Sequence, residues 1–104
     1  MFVYEQEIKH ICKQIEELFH PAEVILFGSC AKGVITRHSD IDLCVVMETE
    51  NKRAIVQQIL LEIECERDLD VVIYTPEEWA KYASDTSTFA YKIFSTGVRL
   101  SGRH

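Results

Sequence analysis

The chain has 104 residues, which is enough for one domain with a single hydrophobic core. Hydrophobic residues make up 47% and charged residues 27%, and no apolar run approaches the roughly 18 residues of a membrane-spanning helix. The formal charge of −6 argues against broad binding to a nucleic-acid backbone, which requires clustered Lys and Arg. It does not exclude one small anionic ligand held with the help of metal ions.

The cysteines and histidines, four of each, show no zinc-binding spacing, since neither C-x-x-C nor H-x-x-x-H occurs. Cys12 falls on the apolar stripe of a predicted helix and Cys44 within a predicted strand, which suits reduced, buried thiols. The N-terminus carries acids where a signal peptide needs a basic start. We therefore expect a cytoplasmic protein.

The first quarter of the chain predicts a helix followed by a strand. Residues 4–19 have the period of an amphipathic helix. Its apolar positions are Ile8, Ile11, Cys12, Ile15, Leu18 and Phe19. His20-Pro21 ends this helix, because the residue before a proline is driven out of the helical conformation. Glu23 to Phe27 then reads as a strand, and its continuous apolar run predicts burial on both faces.

A Gly-Ser dipeptide ends the first strand. After Gly28, residues 29–32 can form one helical turn that Gly33 ends. Residues 34–39 have no clear period and are expected to form an exposed loop, in which Arg37 and His38 are surface side chains. Residues 40–47 are then predicted to form the second strand.

The second half predicts three helices and two strands. Asn51 caps a helix that runs to about Glu66. The buried stripe of this helix is Val56, Ile59, Leu60 and Ile63. Residues 69–74 form a third strand, and Thr75-Pro76 begins a short helix with acids in its first turn. A last helix is expected from about Thr86 to Ser95, with a short edge strand at 98–100.

This element order predicts one α/β or α+β domain over residues 1–104, with helices packed on a mixed sheet. About a dozen residues join the first two strands, which favours an antiparallel connection, whereas a helix joins the second and third strands, which should run parallel. The end of the first strand, at Gly28 and Ser29, should therefore meet the starts of the next two. Asp40 and Asp42 lie at one of these starts, and Asp70 lies at the other.

Three carboxylates gathered at one edge of a sheet repel one another, and divalent cations remove the conflict. Mg²⁺ prefers oxygen ligands and often binds through carboxylates together with substrate phosphates. Two such ions can serve a phosphoryl or nucleotidyl transfer. Gly28 lets the backbone approach a phosphate closely, Ser29 offers a hydroxyl and an N–H, and Lys32 could reach the outer phosphates.

The Gly28-Ser29 dipeptide, ten residues and then Asp40-Ile41-Asp42 resemble the signature of the DNA polymerase beta-like nucleotidyltransferase superfamily. Within this superfamily, the chain most resembles the minimal nucleotidyltransferase (MNT-type) branch, because of the segments GSCAKG and HSDIDL and the short chain length. The resemblance covers most of the chain, because TPEEW, the Phe-Ala-Tyr helix and the terminal Gly-Val-x-Leu also fit.

The resemblance implies a role for each matching residue. The Gly28-Ser29 turn would hold the nucleoside triphosphate, and Asp40, Asp42 and Asp70 would bind Mg²⁺. Asp70 would also accept the proton of the attacking hydroxyl. Asp68 is an alternative to Asp70, which we prefer because it directly precedes the apolar run of the third strand. Cys30 occupies a position at which many relatives carry Arg or an aromatic residue.

Members of the MNT-type branch are often antitoxins whose partner is a helical HEPN-domain RNase toxin, and some transfer AMP from ATP to a tyrosine of that toxin. The resemblance therefore implies an ATP- and Mg²⁺-dependent enzyme that modifies a partner protein. The alternative is a non-catalytic antitoxin or nucleotide-binding module that neutralises its partner by occlusion. A homodimer or partner interface could involve the aromatic residues of the last third, which are Trp79, Tyr82, Phe89, Tyr91 and Phe94.

Overall fold

The computed structural model describes residues 4–33 and 40–102. The predicted loop at 34–39, with Arg37 and His38, lies outside the described residues. The helices and strands within the described part are α1 (Glu5–Phe19), β1 (Glu23–Phe27), α2 (Gly28–Lys32), β2 (Ile41–Val46), α3 (Lys52–Glu62), β3 (Leu69–Tyr74), α4 (Pro76–Tyr82), α5 (Phe89–Thr96) and β4 (Val98–Gly102).

The strands form one mixed sheet in the order β3-β2-β1-β4. β1 is antiparallel to both β2 and β4, and β2 is parallel to β3. These directions confirm the predicted fold class and the predicted relation between the first three strands. β4 is an edge strand, as expected, but it extends to Gly102 rather than ending at Leu100.

Helices cover both faces of the sheet. α1 and α3 pack on one face, where Val24 and Leu26 of β1 point, while α4 and α5 pack on the other face against Ile25. β2 alternates in the same way, since Leu43 and Val45 face α1 and Cys44 faces α4 and α5. This two-sided burial explains the continuous apolar runs of the central strands.

The C-terminal end of α3 differs from the prediction. The helix ends at Glu62 instead of Glu66, because Ile63 takes an extended conformation and buries its side chain. Residues from α1 satisfy the backbone after it: the N–H of Glu64 donates to the side chain of Gln14 and that of Glu66 to the carboxylate of Glu7. Leu60, predicted to be buried, is half exposed, and Leu18 of α1 is as well.

The predicted helix starts in the second half are confirmed with one shift. Asn51 caps α3, and Thr75 forms a capping box with Glu78 at the start of α4. α5 begins at Phe89 rather than near Thr86, because Thr88 is its cap and accepts a hydrogen bond from the N–H of Tyr91. The residues before it form a turn in which the N–H of Ser87 donates to Asp85.

The cysteines are free thiols, and Cys12, Cys30 and Cys44 are buried as small apolar side chains. Burial raises the pKa of Cys12 and of Cys44 to about 12, so both remain protonated. Within residues 4–33 and 40–102, we find no helix with the length and apolar character needed to cross a bilayer.

Candidate active site

The register of the sheet places Gly28, Asp42 and Asp70 next to one another at one edge. Phe27, the last residue of β1, pairs with Asp42, and Asp42 pairs with Asp70 on the parallel strand β3. Gly28 follows Phe27 directly. The convergence predicted from the strand connections is therefore present in the backbone itself, independently of how any side chain is turned.

Gly28 has to be a glycine for two independent reasons. Its φ of 75° lies in the left-handed region, which side-chain-bearing residues adopt with strain. A Cβ atom at this position would also overlap the carboxylate of Asp42. The carboxylate thus lies directly against the Gly28 backbone, in the space that any larger residue would fill.

Asp42 is the most perturbed carboxyl group of the site. Its pKa is raised from 3.8 to about 6, first because burial disfavours the charged form and then because the charges of Asp70 and Asp40 repel it. A hydrogen bond with the Asp70 carboxyl raises it further. Asp42 and Asp70 therefore form an adjacent pair of carboxyl groups that disfavour each other's negative charge.

Asp40 lies just before β2 and is close enough to Asp42 to raise its pKa. Its backbone is tied to α2, because the thiol of Cys30 donates a hydrogen bond to the Asp40 carbonyl oxygen over 3.4 Å. Cys30 itself is fully buried in the core. Cys30 thus packs inward and ties α2 to the residue that precedes β2.

The structure separates the two candidates for the third carboxylate. Asp70 pairs with Asp42 in register, and its charge raises the pKa of Asp42. Asp68 instead contributes its backbone carbonyl oxygen, which accepts from the N–H of Ile41 over 2.9 Å. It does not contribute to the raised pKa of Asp42. The geometry accordingly favours Asp70 as the partner of Asp42.

Two cavities flank the row of carboxylates. On the β3 side, a cavity of about 400 Å³ is lined by the acids Asp40, Asp68 and Asp70, with Arg67 beside them and Leu60 and Ile63 as apolar walls. On the β1 side, a cavity of about 180 Å³ begins at Gly28 and is lined by Lys32 of α2 and by residues of α5. Ser29 lies half-buried at the start of α2.

Arg67 lies in the site region, although no sequence motif indicates it. Its guanidinium lies 3.4 Å from the centre of the Tyr4 ring, and its Nε lies 3.3 Å from Glu7. These contacts from α1 hold a cation beside Asp68 and Asp70. No local motif could have revealed it, because its partners lie about 60 residues earlier in the chain.

The donor set fits a divalent cation, although the side chains are not gathered into a finished metal site. Within the described residues, no three His, Cys, Asp or Glu side chains are close enough together to form a complete metal-binding group. Asp42 and Asp70 nevertheless offer hard oxygen donors at paired positions of β2 and β3, and Asp40 lies within electrostatic reach. A bound cation would relieve the repulsion among them.

Comparison with protein families identifies the class of protein that this fold and site define. The family model described as the nucleotidyltransferase domain matches residues 6–79, and the chain belongs to this family. The matched segment includes Gly28, Asp42 and Asp70. The family predicted from the Gly-Ser and Asp-Ile-Asp motifs is thereby confirmed.

Solved structures show the same fold at low sequence identity. A Sulfolobus solfataricus protein described as a nucleotidyltransferase is 24% identical, with a TM-score of 0.57 over 73% of this chain and 70% of that one. A toxin-antitoxin structure with AMP-PNP is 21% identical, with a TM-score of 0.55 over 98% and 76% of the two chains. A mutant of the toxin-antitoxin pair MntA-HpeT is 21% identical, with a TM-score of 0.52 over 98% and 75%. Comparison with curated proteins gave no match.

Proposed function

We propose that this protein is a Mg²⁺-dependent nucleotidyltransferase that transfers a nucleoside monophosphate, AMP from ATP, to a hydroxyl group of a partner protein. The observation that carries the proposal is the adjacent Asp42–Asp70 pair, in which burial and the charge of Asp70 raise the pKa of Asp42 to about 6. The adjoining Gly28 turn brings the backbone into direct contact with the Asp42 carboxylate. Membership of the nucleotidyltransferase domain family supports the reaction class.

The residues have separate tasks in this reaction. Asp40 and Asp42 would hold the cation together with Asp70, and the bound cation would neutralise charge on the reacting phosphates. Gly28 and Ser29 position the triphosphate, with Lys32 near its outer phosphates. The acceptor oxygen forms a bond to the α-phosphorus, the bond from this phosphorus to the bridging oxygen breaks, and pyrophosphate leaves. Asp70 accepts the proton of the acceptor hydroxyl.

A protein hydroxyl is the acceptor that we favour. The charge of −6 and the acidic lining of the β3-side cavity disfavour a polynucleotide. The apolar walls formed by Leu60 and Ile63 suit an amino-acid side chain that carries a hydroxyl, such as tyrosine. Two structures with the same fold are toxin-antitoxin complexes, one of them with AMP-PNP. We therefore propose a HEPN-domain toxin as the partner and the cytoplasm as the compartment, in keeping with the free thiols.

The test is a transfer assay with the product of the adjacent gene as the acceptor. Wild-type protein is incubated with α-labelled ATP, Mg²⁺ and this partner, beside the double variant Asp40→Ala/Asp42→Ala. We expect label on the partner with the wild type alone, and loss of the label when EDTA is added. Intact mass of the partner identifies the transferred group as AMP.

The same assay decides against the alternative of a non-catalytic module. Equal silencing of the partner by the wild type and the double variant, with no label transferred, would show that the protein acts by occlusion. The matched control is Asp68→Asn, which removes a negative charge from the same cavity without touching the Asp42–Asp70 pair. Activity in this variant rules out a general loss of surface charge as the cause.

A further inference from the structure

The β1-side cavity contains a second lysine from a part of the chain outside the family match. Lys92 of α5 and Lys32 of α2 both line this cavity, whose remaining lining is Phe27, Gly28, Phe89, Ile93 and Thr96. The family model ends at residue 79, whereas α5 begins at Phe89. The family match therefore assigns no role to Lys92.

The charges of the two cavities are opposite. The β1-side cavity is lined by two lysines and by no acidic residue, while three aspartates and a single arginine, Arg67, line the β3-side cavity. Neither Lys32 nor Lys92 forms an ion pair with any residue in the ranges 4–33 and 40–102. Two unpaired cations that face one cavity from two different helices attract an anion of more than one charge.

The size and position of the cavity determine which part of a nucleotide fits. About 180 Å³ is less than the 300–1,000 Å³ typical of pockets that enclose whole small-molecule ligands. The cavity is lined by Gly28, which lies beside Asp42, and otherwise by Phe27 and residues of α2 and α5, with none from β3. A polyphosphate tail whose first phosphate lay at the carboxylates would enter this cavity from its Gly28 end.

Aromatic and polar side chains line the cavity beside the two lysines. The rings of Phe89 and Phe27 both line the cavity and meet edge to face, with centroids 5.6 Å apart. The hydroxyl of Thr96 already donates to the Lys92 carbonyl oxygen over 2.6 Å. The ammonium groups of Lys32 and Lys92 are therefore the charged groups that this lining offers to a ligand.

We propose that Lys92 binds the β- and γ-phosphates of the nucleoside triphosphate together with Lys32, and then the pyrophosphate that leaves. This inference rests on the proposed function and extends it to a residue of α5. The aromatic pair walls the cavity and does not bind the base, so the contact is indifferent to which nucleotide is used. Lys92 acts on affinity for the triphosphate, and the carboxylates act on the chemical step.

The test measures binding of Mg-ATP, Mg-GTP and Mg-tripolyphosphate by calorimetry to the full chain. Lys92→Gln is expected to weaken all three by about tenfold, since each loses one charge-assisted contact. Lys92→Arg is expected to restore binding to within about threefold. Lys13→Gln is the matched control, because it removes an exposed lysine from α1 on the opposite face of the sheet, and it should leave binding unchanged.

A second pair of variants distinguishes a phosphate site from a base site. Phe89→Ala and Phe94→Ala remove aromatic rings of equal exposure, 51% and 52%, from the same helix, but only Phe89 lines the cavity. The proposal would be overturned in favour of a base site if Phe89→Ala weakened the binding of Mg-ATP but not that of Mg-tripolyphosphate, while Phe94→Ala changed neither. Equal behaviour of Lys92→Gln and Lys13→Gln would overturn it too.

The outcomes separate this inference from the proposed function. If the wild type transfers AMP and Lys92→Gln binds every ligand as the wild type does, the role of Lys92 is wrong and the enzymatic function stands. If the wild type binds none of the three ligands, both are wrong. Weakened binding of all three ligands in Lys92→Gln, with rescue by arginine, supports both.

Discussion

The middle and the end of the β1–β2 pair consist of opposite kinds of residue. In the middle, Leu26 pairs with Leu43 and both side chains are fully buried. One pair further along, Phe27 meets Asp42, a partly buried carboxyl group whose pKa is raised by its acidic neighbours. The middle stabilises the fold, whereas the end holds charges that oppose folding until a cation or proton compensates them. The contrast supports the proposal that the chemistry takes place at this edge of the sheet.

The largest effect is expected from removing one carboxylate at the end of the strands. Asp42→Asn should lower the rate of AMP transfer about a thousandfold, since a metal-binding carboxylate supports several kcal/mol of charge stabilisation in the transition state. Asp68→Asn, on the exposed acid of the neighbouring cavity, should change the rate less than threefold. Initial rates with α-labelled ATP measure both. Equal losses in the two variants would show that only the total charge matters.

Substitutions in the middle of the pair should change the free energy of unfolding. Leu26→Ala is expected to lower the free energy of unfolding by about 2–5 kcal/mol, because it leaves a cavity in the core. Leu61→Ala, at a side chain that is 85% exposed, should stay within about 0.5 kcal/mol of the wild type. Urea denaturation followed by circular dichroism measures the difference. A cost below about 1 kcal/mol for Leu26→Ala would contradict the assigned core.

At the end of the pair, the raised pKa of Asp42 should make the metal-free protein less stable as the pH rises. The pKa of Asp42 is about 6 in the folded state against 3.8 ordinarily, so the folded protein binds the proton more tightly than the unfolded chain does. The stabilising contribution of the protonated group is complete below about pH 4. It is lost as the pH rises to about 6, and the metal-free protein is correspondingly less stable above that pH.

Asp42→Asn isolates this contribution, since the amide has no charge to bury. We expect the metal-free variant to be more stable than the wild type by about 1 kcal/mol at pH 7.5, a value reduced from the full pKa shift because solvent reaches the site. Below pH 4 the advantage should vanish. Thermal unfolding in EDTA at pH 3.8, 5, 6 and 7.5 measures it, and a variant less stable than the wild type at pH 7.5 would contradict the account.

The smallest effect is expected at Cys30, which joins the core to the acidic end. Cys30→Ala removes the hydrogen bond to the Asp40 carbonyl oxygen, and we expect about 1 kcal/mol less stability and a rate reduced about threefold. Cys30→Ser keeps a donor and should preserve the rate better than alanine. Paired measurement of kcat and KM checks this expectation. Identical rates for the alanine and serine variants would show that the thiol hydrogen bond does not position Asp40.

Local signals in the sequence were sufficient for most of the elements. His20-Pro21, Asn51 and the Thr75-Pro76 pair each determine a helix end through contacts with near neighbours, so their positions could be predicted. The lengths of the connections between strands predicted the strand directions, and with them the edge of the sheet at which the candidate site residues meet. The fold and the convergence of Gly28, Asp42 and Asp70 could therefore be predicted without a structure.

Features that depend on distant residues could not be predicted. The apolar period predicted that α3 would continue past Ile63, but the backbone N–H groups of the following segment donate to the side chains of Gln14 and Glu7 and hold it outside the helix. Phe89 and Phe94 look alike in sequence, yet only one of them lines the cavity beside Gly28. Lys92 carries no motif, and its relation to Lys32 arises only when α5 packs beside α2.

The most direct test of the central claim, that Asp42 and Asp70 form a cation-binding pair, is a Mn²⁺ titration followed by electron paramagnetic resonance at pH 7.5. Wild-type protein and Asp68→Asn should bind the ion with similar affinity, and Asp42→Asn and Asp70→Asn should each bind it at least tenfold more weakly. Equal affinity in all four proteins, or no binding by the wild type in the presence of ATP, would contradict the claim.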